Sequence, residues 1–177
     1  KATYYERLNI LSTSIDHIKT IIKKNITNTI KCWEGGKDIE KQTFHIIGPA
    51  GVGKTAICSQ ICNELSSTLN IKFQNVIIKG PVISRDDLLC PFPEIKDNSR
   101  KFAMLLSDFI PRDIDSYGLF VIDEFARADH NLQQLLWQIQ NENKIHTYDF
   151  PKGWFVICLD NPDDEEYSMN YLEDAAG

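Results

Sequence analysis

Gly48-Pro49-Ala50-Gly51-Val52-Gly53-Lys54-Thr55 fills the spacing G-x-x-x-x-G-K-[ST] completely. The residue types explain the pattern. Glycines let the backbone curl until successive N–H groups point inward at phosphate oxygens. A helix opening at the end of the loop adds the positive end of its dipole. Lys54 supplies a mobile point charge for β- and γ-phosphates. Thr55 supplies a hydroxyl for Mg²⁺, an ion that keeps most of its own water shell. The stretch expected to hold nucleotide is therefore Gly48, Pro49, Ala50, Gly51, Val52, Gly53, Lys54, Thr55 and Ala56. By itself this loop indicates a nucleoside triphosphate, without choosing the base or requiring hydrolysis.

Two more constellations follow. Leu119-Phe120-Val121-Ile122 is an apolar run that ends in Asp123-Glu124. Such a run places both acids at the carboxyl end of a buried strand, the edge at which open α/β sheets bind ligands. Asp123 is expected to hold Mg²⁺ through water, and Glu124 to polarise an attacking water as general base. Glu124 favours a hydrolase over a transferase. Trp154 to Leu159 is a second apolar strand, ending in Asp160-Asn161-Pro162. If it lies between the phosphate-loop strand and the Asp-Glu strand, Asn161 reaches the γ-phosphate or the water, since an amide both donates and accepts. A plain Asn-Pro turn is the competing reading, and Asp160 is the nearby competitor for a polar role.

These residues need elements to hold them. Tyr4, Leu8, Leu11, Ile15, Ile18, Ile22 and Ile26 step by three and four, one stripe on an N-terminal helix. Its simplest use is core packing or a subunit contact. Glu34-Gly35-Gly36-Lys37 ends that segment, so residues 1–36 read as a helical segment and 37–177 as an α/β core. Thr43 to Ile47 reads as a strand, Gly53 to about Ser67 as a helix, and Phe73 to Lys79 as a strand. Pro81, Pro91 and Pro93 predict mostly loop over 80–98, read first as an ordinary loop folded onto the surface, with Phe92 an exposed-aromatic candidate for gripping a partner as the other reading, and Asp86-Asp87 capping a short helix near Leu88. Arg100 to Ile110 reads as a helix, Leu132 to Gln140 as another, and Ile145 to Phe150 as a short hairpin arm. Strands alternating with helices predict a three-layer α/β fold around a mostly parallel sheet.

Composition narrows the classes. The net charge of −6 argues against a mainly electrostatic nucleic-acid binder. Residues 1–54 carry nine basic and five acidic side chains, so a local basic surface is allowed, without a dense Lys/Arg block. No apolar run approaches the ~20 residues of a membrane helix, and the polar start, Lys1 to Leu11, has no apolar signal-peptide core. The five cysteines form no C-x-x-C pair and read as buried, reduced thiols of a cytoplasmic protein. Asp163-Asp164-Glu165-Glu166 reads as a solvated turn.

The phosphate loop, the acidic pair and the later Asn, in this order, resemble an AAA+ ATPase module over residues 40 to 177. The second half is similar to the MoxR-like and dynein-related branch, which includes McrB-type GTPases. That likeness rests on Arg85-Asp86-Asp87-Leu88-Leu89, Asp123 to Ala128, the Gln-rich stretch Asn131 to Asn141, Tyr148 to Trp154 and Asn161-Pro162. Tyr167 and Leu172 through Ala176 continue it. The resemblance implies a P-loop NTPase fold, ATP with Mg²⁺, and Asn161 as a sensor residue. It further implies a ring, commonly a hexamer, in which hydrolysis remodels a protein partner and a neighbour's arginine completes each site. In the family that arginine and a helical lid come after a position like Ala176, so the chain reads as stopping before both. Where the branch often has Asn, this chain has Ala126, followed by Arg127 as an interface residue or a partner of nearby acids. Two other readings stay open: a GTP-driven motor serving a nuclease, and a nucleotide-bound switch or scaffold. A DNA helicase or loader has the least support.

Overall fold

The computed structural model describes residues 14–96 and 99–162. Tyr4, Leu8 and Leu11 of the helical stripe, the acidic run 163–166, Tyr167 and Leu172 to Ala176 lie outside them. In chain order the elements are α1 (Ile15–Glu34), β1 (Phe44–Ile47), α2 (Lys54–Leu69), β2 (Phe73–Lys79), α3 (Arg85–Leu88), β3 (Leu89–Lys96) and β4 (Ser99–Leu106). They continue with β5 (Tyr117–Asp123), a 3₁₀ turn (Phe125–Arg127), α4 (His130–Glu142), β6 (Lys144–Ile145), β7 (Tyr148–Asp149) and β8 (Trp154–Asp160).

Four strands form a parallel sheet in the order β1-β8-β5-β2. Alternation along the two central strands sends successive side chains to opposite faces. Leu119, Val121, Phe155, Ile157 and Leu159 meet Ile57, Ile61 and Leu65 of α2 and Ile22, Ile26 and Ile30 of α1. Phe120, Ile122, Trp154, Val156 and Cys158 meet Leu132, Leu136 and Ile139 of α4 on the other face. Burial on both faces is why these strands read as unbroken apolar runs. The three-layer α/β expectation holds, and α1 packs into the same core as α2. Lys19 and Lys23 of α1 both pair with Glu64 of α2. No described helix is long and apolar enough to cross a membrane.

The stretch after β2 departs from the reading of the sequence. Leu89–Lys96, expected as loop, and Ser99–Leu106, overlapping the helix expected over Arg100 to Ile110, form an antiparallel two-stranded ribbon. Ala103, Met104, Leu105 and Leu106 are good helix formers, but cross-strand pairing outweighs that weak preference. Leu89 pairs Leu106 at the buried base, and Met104 packs on the core. Pro91 and Pro93 are two apart and turn the same way, so both ring nitrogens can face the free edge of the ribbon without loss of a ladder bond. Phe92 is exposed, and so are Ile95 and Phe102. The short helix α3 begins at Arg85 rather than near Leu88. Its cap is Ser84, with Asp87 closing a capping box from inside the helix.

Candidate nucleotide site

All three constellations converge at the carboxyl edge of the parallel sheet. β1 runs into the phosphate loop, where Gly51 and Gly53 take left-handed φ of 77° and 91°. A Cβ at either would be strained, which explains why glycine stands there. Gly53 caps α2, so Lys54, Thr55 and Ala56 form its first turn. Gly48 donates its N–H to the carbonyl of Asp160 at 3.1 Å, Pro49 offers its carbonyl to Lys54, and Ala50 and Val52 are exposed on the loop. Lys54 is nearly buried; its ammonium donates to Gly48 O at 2.5 Å, Pro49 O at 2.9 Å and Asn161 Oδ1 at 2.7 Å.

β8 lies between β1 and β5, the condition under which Asn161 reaches the loop. From β5, Asp123 accepts a hydrogen bond from the Thr55 hydroxyl at 3.0 Å. Thr55 and Asp123 thus offer adjoining oxygens, a hard donor set suited to Mg²⁺ that retains its waters. Among the described residues no group of three or more His, Cys, Asp or Glu gathers as a metal cage.

Glu124 adopts φ 54° and ψ 49°, which costs a non-glycine residue about 1 kcal/mol. Neighbours hold it there. Gly80 donates to Asp123 O at 2.8 Å, and Arg127 donates its N–H to Glu124 O at 3.1 Å. A Cβ at Gly80 would lie 2.5 Å from the Glu124 carbonyl oxygen, so only glycine lets the end of β2 approach this turn. The Arg127 guanidinium stands 3.5 Å from the Glu124 carboxylate, an exposed pair contributing below about 1 kcal/mol. Of the two readings of Arg127, pairing with a nearby acid is the one the geometry displays. A cavity of about 550 Å³ flanks this turn, lined by Gly80, Ala126, Arg127 and His130 but by no phosphate-loop residue.

The solved structures with similar folds include Hsp104 in complex with ATPγS and casein, at TM-score 0.55 and 14% identity over 88% of this chain and 30% of that one. NtrX from Brucella abortus aligns at TM-score 0.50 and 16% identity, over 93% and 33% of the two chains. A Thermotoga maritima RuvB mutant aligns at TM-score 0.47 and 16% identity, over 80% and 38%. The parallel-sheet α/β fold is shared with the Hsp104 and NtrX structures. The chain spans about a third of the length of these structures. No family model matches the sequence, and no curated protein matches it.

The thiols stand apart from this chemistry. Burial, with the Asp123 charge next, pushes Cys58 up to about 12, and burial pushes Cys62 up to about 11. Cys158 is also raised, by burial and then by Asp160. Sequence reasoning missed three positioning groups: His45, Gly80 and Gln133. His45 was the legible one, a lone polar residue in an apolar strand that must find a partner. Its Nε2 donates to Asp160 Oδ2 at 2.5 Å.

Proposed function

We propose that the chain binds ATP with Mg²⁺ and hydrolyses it. The observation that carries this is the meeting of Lys54 with Asn161 and of Thr55 with Asp123 at one sheet edge. The loop N–H groups and the α2 N-terminus hold the phosphates. Lys54 exchanges its present acceptors for phosphoryl oxygens, and Asn161, which shares Lys54 with the loop, would contact the γ-phosphate. Thr55 and Asp123 would hold Mg²⁺, whose charge neutralises the developing negative charge when bound. Glu124 accepts a proton from the attacking water, which requires its carboxylate to leave Arg127.

The branch we favour is the MoxR-like one, with 1–36 as an N-terminal helical segment before the nucleotide core. The working form would be a ring, a hexamer by analogy, that remodels a protein partner in the cytoplasm. The exposed Phe92, Ile95 and Phe102 on the β3–β4 ribbon support contact with a polypeptide partner.

The test is Lys54→Ala and Glu124→Gln, with binding of fluorescent ATP and GTP analogues and single-turnover hydrolysis. Lys54→Ala should weaken binding at least tenfold, a loss of about 1.4 kcal/mol. Glu124→Gln should bind normally and lose on the order of 10²-fold or more in hydrolysis. Unchanged affinity in Lys54→Ala sinks the proposal. Turnover confined to GTP would move it to the McrB-type reading, and binding without turnover to a switch.

A further inference from the structure

Asp160 is the one buried carboxylate among the described residues, 2% exposed, and each of its acceptors holds a different part of the site. Its main-chain oxygen accepts from the N–H of Gly48, where the phosphate loop begins. Oδ1 accepts from the N–H of Ala126 at 2.8 Å, two residues past Glu124. Oδ2 is hydrogen-bonded to His45 Nε2 at 2.5 Å, a carboxylate oxygen accepting from the ring N–H. The His45 ring in turn meets the Phe125 ring edge-on at 6.2 Å. The next residue, Asn161, accepts from Lys54.

The side chain of Asp160 ties Ala126 of the Glu124 turn to the end of β8 from this side. Gln133 of α4 holds the Ala126 carbonyl from the other, at 3.0 Å. The Glu124 turn has left-handed backbone at Glu124 and is anchored by the buried Phe125 side chain, and Asp160 and Gln133 hold the next residue, Ala126. We propose that Asp160 is a positioning residue. Through Ala126 and His45 it fixes where Glu124 and Asn161 stand relative to the phosphate loop. Hydrolysis then depends on its side chain, whereas nucleotide binding does not, because its hold on Gly48 is made by the backbone. The inference rests on the reading of Glu124 as general base.

The experiment compares the whole 177-residue chain with Asp160→Ala and Asp160→Asn, using Glu124→Gln as reference. Affinity for a fluorescent ATP analogue, single-turnover ATP hydrolysis, melting temperature and amide exchange at Ala126 are measured. Asp160→Ala should keep its affinity and slow hydrolysis on the order of 10²-fold, the cost of misplacing a reacting group by about 1 Å. Asp160→Asn retains an acceptor for Ala126 and should recover most of that rate. Hydrolysis by Asp160→Ala at the wild-type rate overturns the proposal. So does a parallel loss of affinity, rate and melting temperature in both variants, the signature of a merely structural acid. If wild type hydrolyses no faster than Glu124→Gln, the functional reading fails and the exchange data decide the positioning claim. Faster exchange confined to 124–127 and Asn161 then supports it, and unchanged or global exchange overturns it. Should Asp160→Ala fail to fold, Asp160→Ser, too short to reach Ala126, carries the same comparison.

Discussion

Lys41 shows how a single side chain ties distant parts of this chain together. Its ammonium donates to the carbonyls of Pro151, Lys152 and Trp154, at 3.3, 3.2 and 2.5 Å, stapling the approach to β1 onto the turn before β8. Burial, with the Lys152 charge second, lowers its pKa from 10.5 to about 8 and outweighs those acceptors. The sign of the consequence follows. Between about pH 8 and 10.5 the unfolded chain holds this proton and the folded one releases it, so stability from this group rises with pH. The wild type should therefore gain on Lys41→Met by about 1–3 kcal/mol between pH 7.5 and 10, read from urea midpoints. A difference that stays flat with pH would show that Lys41 keeps its proton throughout. At this scale the phosphate loop, Asp123, Glu124 and Asn161 were legible because chemistry fixes residue type and spacing. His45 and Asp160 are 115 positions apart, and only the β1–β8 pairing brings them together.

Among the elements, β2 matters for its end as much as for its pairing. It runs along β5 from Phe73↔Tyr117 to Lys79↔Asp123 and finishes at Gly80, under the Glu124 carbonyl. A methyl group at Gly80 must push either β2 or the acid turn aside, because its nearest neighbour is backbone. Gly80→Ala should cost about 1–3 kcal/mol, and the melting temperature should fall by several degrees. A variant as stable as wild type would mean that the turn yields easily. The helices α1, α2 and α4 were readable from their stripes, and β5 and β8 from their apolar runs, because each answers to one large buried surface. The β3–β4 ribbon was not. Its residues have helix-forming composition and two prolines, and its stability comes from partners across the hairpin rather than from any one-face pattern.

Taken as a whole, the molecule separates its duties. One edge of the sheet gathers the polar residues, and the two faces carry the packing. α1 belongs to that packing, since Ile22, Ile26 and Ile30 are buried with α2 and the odd-numbered residues of β5 and β8. Ile26→Ala should cost about 2–5 kcal/mol, measured by chemical denaturation. A smaller loss would mean that α1 is docked on the fold rather than built into it.

The placement of the thiols has a practical side. Cys58, Cys62 and Cys158 are buried and Cys32 is half-buried, while Cys90 is exposed at the root of the ribbon. Burial that raises the pKa leaves Cys58 and Cys62 with almost no thiolate at neutral pH, and thiolate is what a maleimide attacks. The native chain thus carries its own attachment point. A dye coupled there would report by polarisation on whatever grips the ribbon, with no cysteine introduced.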